Sequence, residues 1–523
     1  VHSAFAASVI SSAVPATYDQ AVVSSDKSLW LAAIKVELDA HAENSTWSLV
    51  PLPAGRRAIG CRWVFTIKDS TNPPTYKARL VAQGFRQVYG LDYFETFSPV
   101  VRYESIRIVL ALSAHFGLLI HQMDVSTAFL NGTLDEEIYM RIPDGIDAPH
   151  GLVCKLNKSL YGLKQAPLCW NKAINMVLLS AGFCRSTNEF GIYTKVTDKS
   201  IVVVALYVDD LLICSNNMVD IQSVKDLLSS NYKMKDLGVA SRFLGMNLTQ
   251  TKFHVELNLS HYLNEYLRDF NMQDCNPVST PFAAGTDFLP GDSISDADVS
   301  RFRSMVGKLL FAANTCRPDL SFAASTLSRF IKDPKANHVA AAKHVLRYIK
   351  GTMNYGLSYK RCSNFRLVGY SDSDWAGDKF DRKSITGYVF MLSGCAITWK
   401  SKKQSTVALS STEAEYMALG DTVKELLWLV QLVQNIGLKF KNPPTVFEDN
   451  EGCKLLSNHP VHHQRTKHID IRHHFIREHL NNNLFILESA STDDMAADMF
   501  TKNLNRLKFK KFVHLIGMQD VLV

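Results

Sequence analysis

The stretch "LYVDDLLICS", Leu206 to Ser215, sets two adjacent aspartates, Asp209 and Asp210, inside an apolar run. With "IVVVA" before it, the segment reads as strand, tight turn, strand, with the aspartates at the tip. Two carboxylates this close repel each other and raise one pKa unless a cation holds them. A divalent ion such as Mg²⁺ takes one or two carboxylates plus substrate phosphates, so the pair reads as a metal site for phosphoryl transfer. The competing reading is a polar turn, for which Asp is well suited. A third carboxylate, Asp124, ends another apolar strand, "LLIHQMDV". Alone it reads as a strand-ending cap. If the two strands are neighbours, three carboxylates meet at one sheet edge.

The chain has 523 residues, enough for several domains. It is 46% hydrophobic and 20% charged, which excludes a disordered chain. The net charge of +7 is compatible with a polyanionic partner without requiring one. Ten cysteines with no C-x-x-C spacing exclude the common zinc and redox patterns and point to a reducing compartment. No apolar run reaches bilayer length, and no basic region precedes "AFAASVISSAVPA", so neither a membrane span nor a signal peptide is expected. A start at Val1 suggests a fragment or a piece of a polyprotein.

Along the chain, "DKSLWLAAIKVELDAHAEN" has helical spacing, with Leu29, Ala32, Ala33 and Val36 as its apolar stripe. Short strands then alternate with helices to about Gln250, as in a mixed α/β body. "YESIRIVLALSAHFG" reads as a helix ending at Gly117. The signal from "LSHYLNEYLRDFNM" to "HVAAAKHVLRYIKG" is mainly helical, Ser260 being a plausible N-cap. After Phe365 a meander ("FRLVGYSDSD", "GYVFMLSG", "CAITWKS") leads to a long helix ending at Gly437 and a strand, "PPTVFEDN". This is a second α/β domain.

The strings "WVFTIKD", "YKARLVAQGFRQVYGLDYFETFSPVVR", "MDVSTAFLNGTLDEEIYMRIPDG", "SLYGLKQAPLCW", "LYVDD" and "RFLGMN" occur in the order found in the reverse transcriptase of copia-type long-terminal-repeat retrotransposons, which the chain resembles. The resemblance implies a right-hand polymerase: leader 1–45, fingers and palm 46–250, helical thumb and connection 251–362, ribonuclease H-like domain 363–503 and basic tail 504–523. It implies that Asp124, Asp209 and Asp210 are catalytic metal ligands for Mg²⁺, with Mn²⁺ as the alternative. Phe129 matches the aromatic beneath the incoming sugar; otherwise it is a core aromatic. Lys77 and Arg79 match the basic segment that meets the triphosphate, either one making the contact; otherwise they are a solvated pair. Gly162, Lys164 and Gln165 match the segment against the templating pair. Phe243, Leu244 and Gly245 resemble the primer-gripping turn.

In the C-terminal part Asp372, Glu415, Asp449 and Asp498 fall in the order strand, helix, strand, helix, which resembles the ribonuclease H fold. "YSDSDWAG", "LSSTEAEYMAL" and "ADMFTK" are also strings of the copia-type family. Four carboxylates can hold two metal ions and hydrolyse an RNA phosphodiester. Glu413 competes with Glu415, whose place after Thr412 also fits a capping box. Asp374 and Asp378 compete with Asp372; Asp493 and Asp494 compete with Asp498. "HPVHHQRTKHIDIRHHFIREH" holds seven of the 17 histidines but neither cysteine nor H-E-x-x-H, which argues against zinc. His468 and Asp470 are minor candidates there. The tail "TKNLNRLKFKK" reads as a solvated basic face, with phosphate contact as the alternative.

The function expected is an RNA- and DNA-directed DNA polymerase with ribonuclease H, acting on RNA template, DNA primer, dNTPs and RNA–DNA hybrid. It would work in a cytoplasmic virus-like particle or the nucleus, beside protease and integrase parts of a longer polyprotein. The alternative is a catalytically silent remnant or a co-opted nucleic-acid-binding scaffold.

Overall fold

The computed structural model describes residues 14–68, 73–283, 285, 286, 288, 289, 291–362, 365–458 and 470–521. The architecture is mixed α/β. Its centre is a six-stranded antiparallel sheet. From one edge the order is Met234–Val239, Leu119–Val125, Asp210–Ser215, Ile201–Tyr207, Ile192–Val196 and Cys184–Arg185. The inner strands are apolar on both faces because helices cover both. Ala166–Ser180 and Met218–Asn231 pack on one side through Trp170, Ile174, Ile221 and Leu228. Tyr103–Phe116 packs on the other and ends at Gly117, whose φ of 66° suits a helix terminus.

The N-terminal region is a hairpin, Cys61–Lys68 with Thr75–Ala82, backed by the helix Lys27–Glu43. That helix lies where its periodicity predicts, but its buried face differs. Trp30 and Ile34 enter the core beside Phe65, while Leu29 and Val36 are 47% and 70% exposed. Two aromatic contacts of Trp30, with Phe65 and Tyr76, outweigh the smaller aliphatic stripe. The described part of the segment expected as a leader, residues 14–45, therefore contributes to the hairpin's core. Glu37 accepts the Leu80 amide and Asp26 the Tyr76 hydroxyl, at 3.1 and 3.0 Å.

Residues beyond 240 form a second five-stranded sheet and a helical layer, Ser260–Asp269, Asp296–Thr315, Ser321–Ser328 and Ala336–Gly351. Ser260 is the first helical residue, preceded by Leu259 at the cap. The C-terminal sheet runs Cys395–Lys403, Ile385–Leu392, Leu367–Asp374, Thr445–Glu448, Ile486–Ser489. Its first three strands are antiparallel and its last three parallel. The helix Ser411–Asn435 lies across it.

One hydrophobic core joins the helix Tyr103–Phe116, the helical layer and the C-terminal sheet. The basic tail belongs to it. Phe509, Phe512 and Val513 bury one face of Arg506–Leu515, and Met518–Asp520 pairs with Tyr355–Lys360. Two of its lysines pair with carboxylates, Lys508 with Asp498 and Lys511 with Asp494, each at 2.7 Å. Arg506, Lys510 and Lys511 stay exposed, so the basic face is solvated while the opposite face of the helix enters the core.

Candidate active sites

The aspartate tip is a hairpin between Ile201–Tyr207 and Asp210–Ser215, with Tyr207 opposite Asp210. The next strand, Leu119–Val125, brings Asp124 directly opposite Asp210. The Asp209 carbonyl accepts the Val125 amide at 2.8 Å. Three carboxylates from two distant segments therefore share one sheet edge. Val208 carries a φ of 55°, costly for a β-branched residue. Trp170 Nε1 donates to its carbonyl at 2.6 Å and pins the strained turn. Burial first, then repulsion from Asp209 and Asp124, raises the Asp210 carboxyl to about 6. Burial, reinforced by Asp124, also raises Asp209.

Cations face this edge. The fields of Arg79 and Lys68 favour ionised Asp209, and that of Asp124 favours charged Lys77. Burial and the neighbouring Lys68 and Arg79 nevertheless lower Lys77. Arg79 lies 4.8 Å over the Tyr161 ring, which meets Phe129 edge-on at 4.8 Å. Phe129 is half-buried beside the tip. Lys68 was missed by sequence reading. Its register in the hairpin, opposite Thr75, is what turns it to the acidic edge.

Gly162 has a φ of 92°, and a Cβ there would overlap the Ala82 carbonyl oxygen. The Ala82 amide donates to the Tyr161 carbonyl at 2.8 Å, locking this segment to the hairpin. Lys164 and Gln165 serve that lock. Lys164 Nζ donates to the Tyr93 hydroxyl at 2.8 Å, and the buried Gln165 amide donates to the Asp92 carbonyl and Glu136. Their side chains are thus tied to protein groups. Phe243, Leu244 and Gly245 form a tight turn in which the last two have positive φ, and Phe243 anchors it in the core.

In the second cluster, ligand atoms of Asp372, Glu415 and Asp449 all lie within 4.8 Å of one another. Among the described residues no other trio of His, Cys, Asp or Glu meets that distance, Asp124, Asp209 and Asp210 included. Asp372 lies in the middle strand and Asp449 follows Thr445–Glu448. Glu415 comes from the start of the long helix. Ser410 caps that helix by accepting the Glu413 amide, and the Glu413 carboxylate accepts the Leu409 amide at 2.8 Å, so capping does not use Glu415.

Asp498 does not join the trio. It is fully buried, with Lys502 at 2.8 Å and Lys508 at 2.7 Å. Lys502 also reaches Asp372, at 3.8 Å. Asp378 is an ion-pair centre for Arg329 and Lys403, and Asp494 pairs with Lys511. Asp493 is exposed. Burial dominates in raising Asp372 and Glu415, and Lys502 opposes it. Glu448 was missed by sequence reading. It is 1% exposed, and its carboxyl is pushed well up by burial and by Asp372 and Asp449. His468 lies outside the described residues, as does the side chain of Asp470, which opens the helix Asp470–Asn481.

An antiparallel sheet with a carboxylate-bearing hairpin, framed by basic strands, defines the class, and comparison with known proteins agrees. The family described as "Reverse transcriptase (RNA-dependent DNA polymerase)" matches residues 44–284. The chain is 40% identical over 498 residues to the Retrovirus-related Pol polyprotein from transposon RE1 of Arabidopsis thaliana, covering 94% of this chain and 34% of that one. It is 40% identical over 508 residues to the one from transposon TNT 1-94 of Nicotiana tabacum, covering 95% and 38%. A putative transposon Ty5-1 protein of Saccharomyces cerevisiae is 39% identical over 308 residues, 58% of this chain and all of that one. The chain belongs to the reverse transcriptase family of copia-type retrotransposon Pol polyproteins. It spans about a third of the length of the Pol polyproteins it matches.

Proposed function

We propose that the chain is an RNA- and DNA-directed DNA polymerase of a retrotransposon, with ribonuclease H activity toward the RNA–DNA hybrid. The observation that supports it most is the register that sets Asp124 opposite Asp210 with Asp209 in the adjoining turn. On this reading fingers and palm correspond to 46–250, thumb and connection to 251–362 and the ribonuclease H-like part to 363–503, with the described residues of the 1–45 and 504–523 segments packed onto them.

The donors are all hard carboxylate oxygens, buried or half-buried, which fits Mg²⁺ or Mn²⁺. Asp124, Asp209 and Asp210 would hold ions at the palm, and Asp372, Glu415 and Asp449 at the second site. Bound there, such ions lower the pKa of the attacking hydroxyl or water and offset charge on the phosphate. Lys68, Lys77 and Arg79 neutralise and orient the triphosphate of an incoming dNTP. Phe129, held edge-on by Tyr161, forms the floor under its sugar. Gly162, Lys164 and Gln165 act as positioning residues that fix the basic hairpin over the palm. The Phe243–Gly245 turn meets the primer. Asp498 acts by holding Lys502 against Asp372.

RNA template, DNA primer and hybrid are the partners, with protease and integrase parts from the longer polyprotein. No helix among the described residues is long and apolar enough to cross a membrane. The site of action proposed is a particle in the cytoplasm or the nucleus. Primer extension on poly(rA)/oligo(dT) tests the reading: soluble, folded chain extends the primer with Mg²⁺ or Mn²⁺. No extension with either ion leaves the silent-scaffold alternative.

A further inference from the structure

Glu448 ends a strand whose neighbour carries Asp372. Tyr370 stands beside Phe447 in parallel register, so Glu448 follows in line with Ser371. The Ser371 hydroxyl accepts from Thr422 on the long helix, so this sheet face is turned to that helix. Glu415 occupies the start of the same helix. Among the charges that act on Glu415, Glu448 is the largest, ahead of Asp372 and Asp449.

The Glu448 carboxyl has one hydrogen bond, from the Asn450 amide to Oε1 at 3.3 Å. Among the described residues its Oε2 is buried without a hydrogen-bond partner, and so is Oε2 of Glu415. A buried carboxylate oxygen left bare is strongly unfavourable unless a cation or donor is supplied. Among the described residues, two ammonium groups pair with this set of carboxylates: Lys502 and Lys508 both reach Asp498, and Lys502 also reaches Asp372. Glu415 and Glu448 make none of these pairs.

We propose that Glu448 is a fourth carboxylate of the C-terminal metal centre, adding its charge behind Glu415 and accepting from a water bound to the divalent ion. It is a positioning residue, deeper than the trio, and it rests on the metal reading of that trio. Outer carboxylates of this kind orient the ligands in front of them and typically strengthen ion binding 10–100-fold.

The test is Mn²⁺ binding, followed by electron paramagnetic resonance, on the full chain carrying D209N and D210N to silence the palm. E448Q and E448A bind Mn²⁺ about tenfold more weakly or worse, and E448D retains more affinity than either, with circular dichroism unchanged. Mn²⁺ raises the melting temperature of the parent chain more than that of E448Q. Undiminished Mn²⁺ affinity in folded E448Q and E448A overturns the assignment. If D449N also binds Mn²⁺ undiminished, the metal reading of the trio falls with it. If D449N loses the ion while E448Q keeps it, only Glu448 is misassigned.

Discussion

Asp210 has an ordinary value of 3.8, raised to about 6 by burial and by its two acidic neighbours. The folded chain therefore holds a proton that the unfolded chain releases between those values. Asp210 contributes stability below about pH 4, and that stability is lost as pH rises through 6. In EDTA the melting temperature should fall between pH 4 and 7, and D210N should flatten that fall. Divalent metal should reverse it, since a cation favours the ionised carboxylates. On the proposed function, D124N and D210N each lower primer extension by about a thousandfold or more in single-turnover assays, with folding intact. D449N leaves extension unchanged. The paired aspartates were legible because charge inside an apolar run has few explanations. Glu448 was not, because a glutamate at a strand end looks solvated until the covering helix is placed.

Among elements, the Tyr161–Gln165 segment and the hairpin 61–82 act as one clamp. In Gly162→Ala the new Cβ meets the Ala82 carbonyl oxygen at a backbone conformation that L residues avoid. The variant should lose about 2–4 kcal/mol in denaturant titration, and its KM for dNTP should rise more than kcat falls. Trp170→Phe removes the donor to the Val208 carbonyl. About 1 kcal/mol of stability should go with it, and extension should slow because the strained turn is freed. Strands and helices themselves were readable from periodicity, including the endings at Gly117 and Gly437. The buried face of Lys27–Glu43 was not, since one tryptophan's contacts decided it. The capping alternative for Glu415 at Thr412 is not taken up. Ser410, two residues earlier, caps Ser411–Asn435, and only the backbone path selects between the two positions.

On the scale of the molecule, the helix Tyr103–Phe116 behind the six-stranded sheet and the C-terminal sheet share a core and are bolted by Arg107. This buried guanidinium donates to the carbonyls of Ile397, Asn314 and Thr315 and lies 4.0 Å over Trp399. The long helix, with Glu415 at one end, reaches the six-stranded sheet at the other through Asn435 and Ser186. Arg107→Ala should cost about 3 kcal/mol or more and lower the single melting transition of both halves together. A chain ending at Cys362 should fail to give soluble polymerase, since it exposes that core and loses the strand Met518–Asp520. The sequence by itself determined the class of elements, their order and most of the candidate carboxylates, because periodicity and misplaced charge are local. Tertiary structure alone decided which carboxylates meet, that Asp498 goes to two lysines, and that leader and tail enter the cores. Register and helix rotation depend on groups far apart in the chain, such as Asp124 with Asp210 or Trp30 with Phe65, where no local pattern reaches.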